Sequence, residues 1–337
     1  MLGLAGYPED RAALGLAPDA PVYLWDTGPL ADDASLIRNA AEWDAATGDW
    51  RLRPAVLELV ARWPGQTYYT LNEPAWAYPP ITARRLAELH ALLAETVDKD
   101  ARLASPGFQQ VEWGISWWGD ERYDVAPDGR LYSYAEAWLR WLSALGGRLP
   151  DILSWHAYPQ TRYGQRFADG RSAVGFVRSV GEAVSRLRDR YPVPSNCRLI
   201  LSETGWIDWS AGGPAAGPGI GWTVAKSYMA ELVEAYLRSQ IGDDACWFIS
   251  RSEADSAACE GAEIGGWPGY LRYGQRDPTG HYGTGVPCQP WWWSTVRCEI
   301  GPHQGEPGSL TPLGELWRQG AARAPLTPRL WLPVLVE

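Results

Sequence analysis

Two acidic side chains occupy matching local sequences far apart in the chain. Thr67-Tyr-Tyr-Thr-Leu-Asn-Glu-Pro74 is an apolar, aromatic run that ends in a carboxylate, and Ile200-Leu-Ser-Glu-Thr-Gly-Trp206 repeats the arrangement. If both runs are parallel strands of one sheet, Glu73 and Glu203 emerge at the same end, on opposite sides of a central cleft. Two carboxylates facing each other can split a glycosidic bond. One, kept protonated by its surroundings, donates to the leaving oxygen, while the other attacks the anomeric carbon. Asn-Glu-Pro alone is equally a turn or a helix start; the second strand-end carboxylate in register gives it meaning.

Other chemistries find less support. The four histidines, His90, His156, His281 and His303, show no H-E-x-x-H or paired ligand spacing. Gly217-Pro-Gly-Ile-Gly221 lacks the third glycine of a dinucleotide cradle and does not directly follow a strand. No G-x-S-x-G nucleophile elbow is present. Neither a metal nor an organic cofactor is expected.

Composition narrows the partners. The net charge of −10 repels phosphate backbones and anionic lipid, which argues against nucleic acid. No stretch approaches the run of about 18 apolar residues that a membrane span requires. Trp outnumbers Phe by 21 to 4, and Trp combines a flat apolar face with an N–H donor, which suits surfaces that hold a half-polar ligand such as a sugar. Trp117-Trp118 and Trp291-Trp292-Trp293 lie in long segments without periodicity and are candidates for sugar stacking, with Trp292 central to the second group. Cys246, Cys259, Cys288 and Cys298 fall close together and read as two disulfides stapling one loop, with scattered free thiols as the alternative. Disulfides imply an extracellular or cell-surface location, although no complete signal peptide is visible at the start.

Strands and helices alternate along the chain. Strand candidates are Pro21 to Trp25, Thr67 to Leu71, Ala101 to Ser105, Asp151 to Trp155, Arg198 to Ser202 and Ala245 to Ile249. Helix candidates are Arg53 to Trp63, Thr82 to Val97, Ser133 to Leu145, Ala173 to Arg190, Thr223 to Arg238 and Pro312 to Ala321. The fold class is α/β, a (β/α)8 TIM barrel with incomplete or atypical N-terminal βα units, because only six units are plain. Leu2 to Gly6 is a candidate seventh strand and Leu330 to Val336 a candidate eighth. Thr27 to Trp50, Gln109 to Tyr132 and Arg251 to Leu310 follow predicted strands without helical periodicity and read as rim loops around an active face. The expected organisation is one catalytic domain over 1–323, including the long loop 251–310, followed by a tail or closing strand over 324–337.

The chain resembles the large clan of retaining glycoside hydrolases built on (β/α)8 barrels, clan A, which includes cellulases, xylosidases and β-1,3-glucanases. The resemblance rests on Asn72-Glu73-Pro74 after the fourth strand, on His156-Ala157-Tyr158 after the sixth, and on Glu203 in Ser202-Glu-Thr-Gly205 after the seventh. It implies that Glu73 is the general acid/base and Glu203 the nucleophile. Asn72 would bond the sugar hydroxyl next to the reacting carbon, Tyr158 would orient Glu203, and His156 would support the site. Trp247, after the eighth strand, would floor the subsite where cleavage occurs. The clan usually carries an arginine on an early strand that supports the nucleophile, and none is evident here. The expected function is hydrolysis of a β-linked oligo- or polysaccharide by double displacement; the sequence leaves the oligomeric state open, with a monomer favoured. A non-catalytic carbohydrate-binding protein on the same barrel is the alternative.

Overall fold

The short apolar runs form parallel strands because neither of their faces meets water. In the computed structural model the described residues are 1–77, 79–109, 123–158, 171–205, 218–248, 296–298, 307–310 and 312–324. Eight strands make a ring: β1 (Leu2–Ala5), β2 (Val22–Tyr23), β3 (Leu36–Asn39), β4 (Thr67–Tyr69), β5 (Arg102–Leu103, resumed at Phe108–Gln109), β6 (Ile152–His156), β7 (Arg198–Thr204) and β8 (Asp244–Phe248). Each pairs in parallel with its neighbours, and β1 lies between β2 and β8. The ring closes because the first piece of β5 pairs with β4, while Ala104 and the second piece pair with β6.

Helices α1 (Asp10–Ala13), α2 (Pro54–Arg62), α3 (Ala83–Thr96), α4 (Tyr134–Ala144), α5 (Arg171–Arg190), α6 (Pro218–Leu237) and α7 (Pro312–Arg323) accompany the strands. Their ends follow local chemistry. Thr82 Oγ1 accepts the Arg85 N–H at 3.1 Å to cap α3, and Pro54 sits in the first turn of α2, where a missing N–H costs nothing. The six helices expected from the sequence are all present, with ends differing by a few residues. Among the described residues, no helix is long and apolar enough to cross a membrane.

Alternation along the strands divides the core into two layers. Ala5, Tyr23, Ile37, Tyr69, Ala104, Ile152 and Ile200 meet inside the barrel. Leu4, Val22, Leu36, Trp155, Leu201 and Trp247 face outward into the larger core shared with the helices. Trp138, Trp155, Trp247 and Trp317 are wholly buried. Tryptophan therefore serves as a core filler here, and its abundance is not by itself a sign of a sugar-binding surface. Trp317 also donates its indole N–H to the Gly3 carbonyl at 3.0 Å, fastening α7 over β1.

The segment expected to be the first rim loop, Thr27 to Trp50, instead contains β3 and most of a hairpin that pairs Ala41–Asp44 with Asp49–Leu52. β3 escapes detection because its outward face carries Arg38, a residue that normally signals solvent. Arg38 is fully buried, and its guanidinium donates to the carbonyls of Thr27, Pro29 and Ala31 at 2.8 to 2.9 Å. Backbone acceptors satisfy the charge, and the charge in turn holds the loop that leads into β3. Leu2 to Gly6 does supply a strand, β1, and with β3 the ring reaches eight without Leu330 to Val336, which lies outside the described residues.

The disulfide expectation fails at Cys246. Its thiol is free and fully buried inside the barrel against the Pro21 carbonyl, at 3.7 Å. The inward pleat of β8 places it there, away from any loop. The side chains of Cys259, Cys288 and Cys298 lie outside the described residues.

Replacing Arg38 with alanine would orphan three carbonyls at once. Arg38→Ala is expected to lower unfolding free energy by about 3 kcal/mol in urea titration. A loss below about 1 kcal/mol would show that the loop does not depend on this side chain.

Candidate active site

Glu73 leaves the end of β4 in a strained conformation, with φ 40° and ψ 58°, the left-handed region that non-glycine residues avoid. Pro74 follows immediately, and a proline disfavours the right-handed helical conformation in the residue before it. The chain then turns through the 3-10 segment Pro74–Trp76. The result is a carboxylate aimed across the barrel mouth rather than along the strand.

Glu203 arrives from β7, where two irregularities re-aim the backbone. The register with β6 shifts between Trp155 and His156, so that His156 pairs with Glu203, and the register with β8 shifts between Leu201 and Thr204. Its side chain is only 3% exposed, against 26% for Glu73.

His156 joins the two acids. Its Nδ1 lies 2.8 Å from Glu73 Oε1 and 3.5 Å from Glu203 Oε2, and one ligand atom from each of the three side chains falls within 4.8 Å of the others. Tyr158 donates its hydroxyl to Glu203 Oε2 at 2.7 Å. Asn72 sits beside Glu73, and its Oδ1 accepts the Tyr23 hydroxyl at 3.0 Å. Asn72, Glu73, His156, Tyr158 and Glu203, taken from matching motifs on three strands, thus converge at one end of the barrel.

Trp247 does not join them. It faces outward from β8, 1% exposed, with its ring against Tyr228 and Trp317 at centroid separations of 5.8 and 5.9 Å. Alternation puts the next residue, Phe248, on the inner face instead. Phe248 packs edge-on against both Trp25 and Tyr158, at 5.4 and 5.8 Å. Trp117, Trp118 and Trp292 lie outside the described residues.

Trp25 is the contact that sequence reasoning missed. Its indole N–H donates to Glu203 Oε1 at 2.7 Å. The signal was available: Trp25 lies two residues beyond the inward-facing Tyr23, so period-two alternation places it on the same face. Arg38 on β3 points the other way into its carbonyl cage, and the contact to Glu203 Oε1 comes from an uncharged donor.

Electrostatics follow from burial. Desolvation raises the Glu203 carboxyl to about 7; the charge of His156 opposes the rise, Glu73 reinforces it, and the bonds from Tyr158 and Trp25 oppose it. Burial alone would lower the His156 pKa, but the carboxylates of Glu203 and Glu73 offset that, and the net direction is upward. Tyr158 is pushed well above its usual range by burial and remains a donor.

Among the described residues, Glu73, His156 and Glu203 are also the group that could offer ligands to a metal ion. Both oxygens of Glu203 already accept hydrogen bonds, from Trp25 and Tyr158, which suits a carboxylate held for reaction.

Gly107 packs against this arrangement. A Cβ there would stand 2.2 Å from His156 Nε2 and 2.6 Å from the Tyr23 hydroxyl. Gly107→Ala is therefore expected to push His156 off Glu73, opening the 2.8 Å contact beyond hydrogen-bond reach in a crystal structure of the variant. An unmoved imidazole in that structure would contradict the close fit.

No protein-family model and no curated protein matches the chain. Solved structures do. A GH128 (subgroup I) endo-β-1,3-glucanase from Amycolatopsis mediterranei in complex with laminaripentaose is 17% identical, with 95% of this chain and 98% of that chain covered and a TM-score of 0.50. A GH128 (subgroup VII) oligosaccharide-binding protein from Trichoderma gamsii is 14% identical, covering 95% and 93% at 0.50. A GH5_18 structure from Streptomyces cattleya in complex with GlcNAc is 11% identical, covering 97% and 80% at 0.51. At these identities the likeness is one of fold, and this chain shares the (β/α)8 barrel of those proteins.

Proposed function

We propose that this protein is a retaining glycoside hydrolase acting on a β-linked oligo- or polysaccharide, with Glu203 as nucleophile and Glu73 as general acid/base. One observation carries the reading. Glu73 and Glu203 project from the ends of β4 and β7 with a carboxylate oxygen of each within 4.8 Å of the other. Carboxyl groups of retaining pairs stand about 5 to 5.5 Å apart, and an oxygen–oxygen approach of this order is compatible with that spacing.

Glu203 attacks the anomeric carbon and forms a glycosyl ester as the bond to the leaving oxygen breaks. Glu73 gives its proton to that oxygen. In the second step Glu73 takes a proton from water, the water oxygen attacks the anomeric carbon, and Glu203 departs as a carboxylate. Asn72, steadied by Tyr23, would meet the hydroxyl beside the reacting carbon.

Two of the fold neighbours are named for β-1,3-glucan cleavage or oligosaccharide binding, which puts β-1,3-glucans first in a substrate panel that also holds β-1,4-glucans, mannans and xylans. A polymeric substrate is met outside the cell or at its surface, and this reading places the protein there.

Glu203→Gln should reduce turnover by roughly three orders of magnitude or more, and Glu73→Gln should slow natural substrates far more than activated aryl glycosides. Oligosaccharide binding without cleavage across the panel would replace this reading with that of a binding protein.

The pH profile has a defined sign. Glu203 must be ionised to attack, and its carboxyl is raised to about 7, so kcat/KM should climb with pH through that region. A profile already flat from pH 5 would contradict the assignment.

A further inference from the structure

The inference rests on the reading of Glu203 as nucleophile. Glu203 accepts from two uncharged donors, one on each oxygen: the Trp25 indole at Oε1 and the Tyr158 hydroxyl at Oε2, both at 2.7 Å. Among the described residues it forms no ion pair with an arginine or lysine, and the nearest cationic partner is His156 at 3.5 Å. The titratable groups around it are Tyr23 on β2, Tyr69 on β4, Glu73 after β4, His156 on β6, Tyr158 after β6 and Cys246 on β8. Burial pushes the three tyrosines and the thiol upward and keeps them neutral, so they bring no charge to Glu203.

Trp25 is itself fixed. Its backbone carbonyl accepts the Asn39 side-chain amide at 2.6 Å, and its ring meets the edge of Phe248. The terminal torsion of a glutamate is broad and costs little to turn. A single bond from Tyr158 would leave Glu203 free to swing, whereas donors on both oxygens set its plane.

We propose that Trp25 is a positioning residue for glycosyl transfer, its neutral indole N–H orienting the Glu203 carboxylate and stabilising its ionised form, which no arginine or lysine among the described residues contacts. The contact matters in both steps. It holds the attacking group before the ester forms, and it receives the returning negative charge when the ester is cleaved.

The test uses Trp25→Phe, which keeps an aromatic ring and removes the donor. Placing 3-benzothienylalanine at position 25 alone keeps the indole shape without the N–H, and decides the matter if the phenylalanine variant fails to fold. Two readouts are needed. The titration of Glu203 is followed by its infrared carboxyl band, identified as the band lost in Glu203→Gln, and kcat and KM are followed against pH on a dinitrophenyl β-glucoside. Loss of the donor should move the Glu203 titration and the acid limb of kcat/KM upward by about one pH unit. It should lower kcat roughly tenfold while changing KM little. A Glu203 titration that stays in place in the shape-preserving variant overturns the proposal, even if activity falls. The two readings fail separately: full turnover in Glu203→Gln removes the nucleophile assignment, whereas azide rescue of Glu203→Gly with an unshifted titration removes only the role of Trp25.

Discussion

Two carboxylates held a few ångströms apart in a largely buried cleft repel each other, and the rest of the site is organised around that constraint. At an effective dielectric of about 20, two unit charges about 5 Å apart cost about 3 kcal/mol. The structure relieves the repulsion with His156, whose Nδ1 reaches toward both acids, and with donors from Trp25 and Tyr158 on the more buried one. Glu73, more exposed, faces the cleft. The two chemically identical side chains differ in burial, which raises the Glu203 carboxyl and leaves Glu73 the more exposed of the pair.

Such an arrangement requires a frame that does not relax. The closed ring supplies it, because each strand is held on both sides and the side chains inside pack as one cluster. Tyr23 stacks on Tyr69 at 4.7 Å and presents its hydroxyl to Asn72, so the inner layer of the barrel reaches directly into the site. Phe248 braces both donors of Glu203, and Gly107 leaves only enough room for His156. The strain at Glu73 is tolerated in the same way, with Pro74 and the turn behind it holding the backbone where an isolated glutamate would not stay.

Much of this was legible from residue types alone. The helices announced themselves by periodicity and caps, and Glu73 and Glu203 by matching strand-end contexts. What escaped did so for physical reasons. β3 was hidden because Arg38 satisfies its charge with backbone carbonyls, a partnership with no sequence signature. Trp247 was misassigned because a one-residue change of pleat decides between the barrel lumen and the helix layer, and a single chain does not display the register. Trp25 was visible as part of a strand, yet its role required knowing that the chain beyond β2 comes within hydrogen-bond reach of Glu203 on β7. Cys246 was grouped with later cysteines by proximity in sequence, while the pleat of β8 sends it inward.

The account depends on Glu203 becoming covalently attached to the sugar while Glu73 does not. A 2-deoxy-2-fluoro β-glycoside with a good leaving group should accumulate that adduct, and peptide mapping by mass spectrometry should find the added glycosyl mass on the fragment containing Glu203. An adduct on any other residue, or hydrolysis of an unmodified substrate to the opposite anomer, would contradict the assignment of the two carboxylates.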